Sequence, residues 1–170
     1  MRRHPLAIIS VLGAVYVFYL LRGLGRALAA SIMGVPINRG VLYGVLPTFD
    51  VFSGAWERAP RELAVLILAG PGLALAAGYA LLAVVSSPER RLPAHLLLFL
   101  TITSYACLIL DPIYYAVIPL LRLGGEPETL AWVLDVSRLG VALPAMALLG
   151  FNVFLTKRVL VPLMKGPRAV

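Results

Sequence analysis

Residues 63–85, LAVLILAGPGLALAAGYALLAVV, carry no charge, and that run alone excludes most architectures. At about 1.5 Å per residue, a helix of this length covers the roughly 30 Å hydrocarbon core of a bilayer. Three further apolar stretches accompany it: 5–21 (PLAIISVLGAVYVFYLL), 94–121 and 130–156. No water is available in lipid to satisfy backbone N–H and C=O groups, so such stretches must close their hydrogen bonds internally, as helices. The chain is 61% hydrophobic and 14% charged, with a mean hydropathy of +0.93. A soluble domain is about 45–50% apolar and about 25% charged. These properties predict an all-α polytopic membrane protein forming a single membrane domain over residues 1–170. Its helices are expected at about 5–34, 62–86, 94–121 and 130–156, with a basic tail at 157–170.

The first apolar run follows MRRH and resembles the start of a signal peptide. Without a small-residue cleavage site and a soluble domain behind it, the run reads as a retained anchor helix. Residues 35–60 differ from the rest: Gly40, Gly44 and Gly54 stand among Pro36, Pro47 and Pro60. That pattern breaks helices and predicts a short hairpin or re-entrant segment after helix one, packed against the helices to cover its edges. Pro71 lies inside the second span, whose AGPG centre offers small residues for close helix approach. The third span is expected to break at Asp111-Pro112.

The formal net charge is +7, from 15 Lys and Arg against 8 acids. In a membrane chain this excess points to topology and anionic lipid rather than nucleic acid, for which no aromatic stacking platform is present. Arg2, Arg3, Arg90, Arg91, Lys157, Arg158, Lys165 and Arg168 fall on the side of the termini. Arg39, Arg58, Arg61 and Arg122 fall on the other. The positive-inside rule then puts both termini in the cytoplasm, in the plasma membrane of a prokaryote. The termini-side cations Arg2, Arg3, Lys157, Arg158, Lys165 and Arg168 are candidates for lipid or partner contact. Scarce amides, only Asn38 and Asn152 and no Gln, fit a heat-adapted source or a GC-rich genome.

Within the first span, RGLGRALAA places Arg22 and Arg26 four residues apart on one helix face. Three readings are open for them: snorkelling to headgroups, an internal ion pair, or ligand binding. RGLGRALAASIMGVPINRGVLYGVLP followed by ERAPRELAVLILAGPGLALAAGYALL resembles the site-2 protease family of intramembrane zinc metalloproteases. That family carries H-E-x-G-H-A on a membrane helix, then a Gly-Val-Pro turn, a membrane-associated hairpin and an AGP helix. The likeness covers residues 15–85 well and 94–138 loosely.

Aligned on that motif, the first His becomes Arg22, the Glu becomes Gly23 and the second His becomes Arg26. Leu24, Gly25, Ala27, Leu28 and Ala29 keep the family's character. An arginine offers a metal no lone pair, so the resemblance implies a degenerate member, a pseudo-protease without zinc or other cofactor. Asp111 falls near the family's third ligand, although the Asn- and Pro-rich pattern around that ligand is absent. It is the candidate ion-pair partner of Arg22 or Arg26, with Asp50, Glu57 and Glu62 as other acids within the chain. The family's hairpin lies on the cytoplasmic side, opposite to the charge count, which is retained here.

The remaining polar residues carry little chemistry. His95 and His4 are poor candidates for a bis-histidine haem site, and Cys107 is a lone thiol in an apolar run. Asp135 and Arg138 are spaced to pair on a helix surface. Thr101, Thr103, Ser104 and Tyr105 form a hydroxyl patch expected to bond backbone carbonyls or a neighbouring helix. Tyr114, Tyr115, Trp56 and Trp132 read as interfacial anchors. No nucleophile–base pair, phosphate loop or carboxylate dyad is visible. The leading expectation is a non-catalytic structural or accessory subunit of a larger membrane complex, with other membrane subunits and anionic lipids as partners. The alternatives are an intramembrane metalloprotease with unconventional ligands and a small oligomeric transporter or channel.

Overall fold

The computed structural model describes residues 4–42, 46–50, 58–87 and 92–164. Arg2, Arg3, Trp56, Glu57, Arg90, Arg91, Lys165 and Arg168 lie outside the described residues, as do the side chains of His4 and Asp50. The chain runs α1 (His4–Met33), β1 (Asn38–Leu42), β2 (Leu46–Asp50), α2 (Pro60–Ser86), α3 (Ala94–Leu121), α4 (Glu126–Val133) and α5 (Arg138–Met164). Four of the helices, α1, α2, α3 and α5, are long and apolar enough to cross a membrane. This is an all-α polytopic membrane protein carrying one small hairpin.

The core is layered along the helices, and the layers fix their directions. One layer joins Ala30 of α1 to Leu63, Leu66 and Ile67 of α2, Tyr115 of α3, Leu130 of α4 and Val141 of α5. Further along, Phe18 meets Ala74 and Cys107. At the far end, Leu82, Leu108 and Ile109 gather residues 149–159 of α5. Numbering falls along α1 and α3 while it rises along α2 and α5, so the spans alternate in direction. The predicted hairpin pairs antiparallel, Asn38 opposite Asp50 and Leu42 opposite Leu46, and β2 packs on α1.

Close approach of α1 and α2 rests on two glycines. A Cβ added at Gly25 would stand 2.3 Å from the Ala69 carbonyl oxygen, and one at Gly70 would stand 2.7 Å from the Arg22 carbonyl oxygen. Any larger side chain at either position forces the backbones apart. The small-residue centre of the second span therefore supports helix packing as expected, on Gly70 rather than on Gly72, whose added Cβ would meet nothing.

Four expectations need correction. The third span does not break at Asp111-Pro112: α3 is one helix from Ala94 to Leu121 with Pro112 and Pro119 inside it. Proline has no N–H, so Pro112 leaves the Leu108 carbonyl without its helical donor. The Asn152 Nδ2 of α5 donates to that carbonyl at 2.7 Å, and the Tyr79 hydroxyl of α2 donates to Asn152 Oδ1 at 2.5 Å. Asn152 is fully buried. Its amide replaces the missing helical bond, which lets α3 continue and ties three spans together.

The fourth span also differs from the single helix expected at 130–156. It is divided into the short α4 and the long α5 by a turn in which Asp135 takes φ 53°. Asp135 and Arg138 therefore do not share a helix surface; Arg138 forms an ion pair with Glu128 at 2.7 Å instead. At the other end α5 continues to Met164, so residues 157–164 are helical rather than tail.

Asn152→Ala is expected to cost about 1–2 kcal/mol, because it orphans a buried carbonyl and a tyrosine hydroxyl. In a Pro112→Ala background, where an N–H returns to Leu108, the same substitution should cost markedly less. Thermal unfolding of the four proteins in detergent measures this coupling, and additive losses would refute it.

Candidate functional site

Arg22 stands 11 residues before the end of α1 at Met33, about 17 Å along the helix and so deep in the bundle. The guanidinium does not reach outward. Its side chain is 13% exposed, and its Nε lies 3.2 Å from Oδ1 of Asp111, whose side chain is 2% exposed. Arg26, one turn later on the same face, is equally buried. The arginines are held inward partly because α2 crosses them at Gly70, whose absent side chain leaves room for the Arg22 stem and the Arg26 guanidinium.

A second acid joins them that the sequence reading did not single out. Glu126, the first residue of α4, places Oε2 2.6 Å from Arg22 Nη2 and 2.5 Å from Arg26 Nη2. The Tyr115 hydroxyl donates to the same oxygen at 3.2 Å. The path that brings Glu126 back is short and depends on glycine. After α3, Gly124 and Gly125 take φ 75° and 90°, the left-handed region that other residues avoid. A Cβ at Gly125 would also stand 2.8 Å from the Tyr114 hydroxyl. The chain then enters α4, which packs among α2, α3 and α5 and buries Pro127, Leu130, Ala131 and Val133.

The aromatic residues expected at the membrane interface have different surroundings. Tyr115 is buried against Glu126, and the Tyr114 ring lies 5.2 Å from the Arg22 guanidinium carbon, in cation–π range. A buried charge needs partners here, and the two tyrosines add a hydroxyl donor and an aromatic face to the cluster. Trp132 does remain exposed, at 73%.

Among the described side chains, two guanidiniums thus face two carboxylates in a cluster built from α1, α3 and α4. The remaining candidates lie elsewhere. Glu62 pairs with Arg58 at 3.7 Å. His95, Lys157 and Arg158 are exposed, and Gly23 is half-buried beside Arg22. Thr101 and Thr103 donate to the carbonyls of Leu97 and Phe99, and Ser104 donates to Gly78 of α2, so that hydroxyl patch is structural. Tyr105 is exposed.

A zinc ion does not fit these residues. Both guanidiniums are donors without a lone pair, and Asp111 Oδ1 is engaged by Arg22. Among the described residues, no three His, Cys, Asp or Glu side chains converge. Beside the cluster lies a cavity of about 330 Å³ between α2, α3, α4 and α5, bordered by Asp111 and Tyr115 and otherwise by apolar residues. Protein-family models, curated proteins and solved structures give no match to the chain.

Glu126 was hidden in the sequence because it follows a loop, 11 residues beyond Tyr115. The available signal was arithmetic: two intramembrane cations need two anions, and Asp111 supplies one. Removing a single partner from a buried ion pair costs about 3–5 kcal/mol, since it strands the other charge. Glu126→Gln should therefore lower the unfolding temperature clearly, while Glu126→Gln with Arg26→Gln should recover part of the loss. Unfolding followed in detergent tests this, and a double variant less stable than the single one would contradict it.

Proposed function

We propose that this chain is a non-catalytic structural or accessory subunit of a larger membrane complex, built on a site-2-protease-like core whose metal chemistry has been replaced. The observation that carries the proposal is the cluster itself. The i, i+4 face that would present two imidazoles presents Arg22 and Arg26, and both are bound to Glu126. In place of the general base stands Gly23. The acid nearest the expected third-ligand position, Asp111, forms an ion pair with Arg22. Groups that neutralise each other inside a bundle hold helices in register and leave no activated water or nucleophile.

On this reading the useful parts of the molecule are its surfaces. Many large apolar side chains point outward, among them Leu139, Leu143, Phe151 and Phe154 on α5. They meet either acyl chains or the helices of partner subunits. Lys157 and Arg158, exposed near the end of α5, suit anionic headgroups or an acidic partner. The plasma membrane of a prokaryote, with both termini cytoplasmic, remains the proposed location from the distribution of Lys and Arg.

Purification from native membranes in mild detergent should yield defined membrane partners in fixed stoichiometry. A stable lone monomer would count against the proposal. Metal analysis of the same material gives an independent check: stoichiometric zinc that is lost on Asp111→Asn would replace this reading with an unconventional metalloprotease.

A further inference from the structure

Of the four spans, α1 is the least covered by the rest of the chain. Along it Ile9, Leu12, Tyr16 and Tyr19 are exposed, at spacings of three, four and three residues. That is the a/d stripe of a helix pair, and it lies on the side of α1 away from the buried Ala14, Phe18 and Gly25. Acyl chains cover Ile9 and Leu12 as well as protein does, so those two residues name no occupant. The tyrosines do. Phe18, Ala74 and Cys107 form one layer, each near the centre of its helix. Tyr16 and Tyr19 stand within two residues of Phe18, about 3 Å along the helix, and so at mid-bilayer. Headgroups begin about 15 Å away, farther than a tyrosine side chain reaches. Neither hydroxyl has a hydrogen-bond partner among the described residues, and a hydroxyl left without one in hydrocarbon is costly.

We propose that α1 pairs with α1 of a second copy of this chain through Ile9, Leu12, Tyr16 and Tyr19, with the phenol hydroxyls bonded across the interface. A phenol both donates and accepts, so this face is its own complement. A two-fold axis along the membrane normal sets the two copies side by side with their α1 helices parallel, which brings like faces together and closes the assembly as a dimer. The stripe suits the left-handed crossing of about +20° common between membrane helices. It carries no charge that would call for a partner of opposite sign, because Arg22 and Arg26 are engaged inside by Asp111 and Glu126. The Tyr19 ring is braced edge-on by Phe18, with centroids 5.3 Å apart. The pairing concerns copies of this chain alone and is compatible with every functional class considered, with or without further subunits.

The test uses the full chain in phosphatidylcholine vesicles. On mild oxidation Ile9→Cys and Leu12→Cys should form disulfide-linked dimers, whereas Leu28→Cys, exposed on another side of α1, should not. The unaltered chain, whose Cys107 is buried, is the blank. Energy transfer between labelled copies, followed as they are diluted in lipid, gives the dimerisation constant. Tyr16→Phe with Tyr19→Phe removes two hydroxyls from an outward face and should weaken dimerisation on the order of tenfold. Tyr105→Phe, which removes an exposed hydroxyl two residues from Cys107 on α3, should leave it unchanged. Absence of dimer at high protein density, equal cross-linking from Leu28→Cys and Leu12→Cys, or a double Phe variant that dimerises like the unaltered chain would each overturn the proposal. So would Leu12→Cys that joins only a different polypeptide in native membranes, which would assign this face to another subunit.

Discussion

The bundle is organised around Arg22. A guanidinium at this depth cannot be left in hydrocarbon, and its neutralisation dictates the placement of every element nearby. Asp111 fixes α3 beside α1, and Glu126 must be brought back from beyond the end of α3. That return requires the Gly124-Gly125 turn and makes α4 a buried wedge rather than the start of a fourth span. Arg26 then shares Glu126, which gives two acids to two cations among the described side chains. Gly25 and Gly70 allow α1 and α2 to meet at the same level, so steric fit and electrostatics reinforce each other.

A second polar centre secures the other half of the molecule. Pro112 sacrifices one helical hydrogen bond, and Asn152 replaces it from a different helix while accepting from Tyr79. In water such an arrangement would add little, because solvent satisfies a free carbonyl. In lipid the alternative is an unsatisfied group, so a single asparagine determines where α5 docks. The two centres sit on successive turns of α3, at Leu108 and Asp111. α3 is thus the common element: it contacts α1, α2, α4 and α5.

The same geometry separates what the molecule retains from what it lacks, on the proposed reading. A pair of side chains at i, i+4 facing a carboxylate from another span is an arrangement suited to gripping a metal. With arginine at both positions, the grip becomes an ion-pair lock. An apolar cavity borders Asp111 between α2, α3, α4 and α5, and neither arginine lines it.

Much of the architecture was legible in the sequence because lipid imposes a simple rule: uncharged runs about 20 residues long become spanning helices. The four spans and the hairpin after the first followed from that rule and from glycine and proline spacing. So did the need of Arg22 and Arg26 for some partner. Tertiary structure decided the rest. Continuity of α3 through Pro112 depends on a donor 40 residues away in the sequence, and division of the last apolar stretch depends on the burial of α4. Which acids meet the arginines was decided by a loop reversal rather than by any local pattern. Local sequence sets what each segment can be in a membrane; long-range pairing of buried polar groups sets where each segment goes, because those groups have no solvent to turn to.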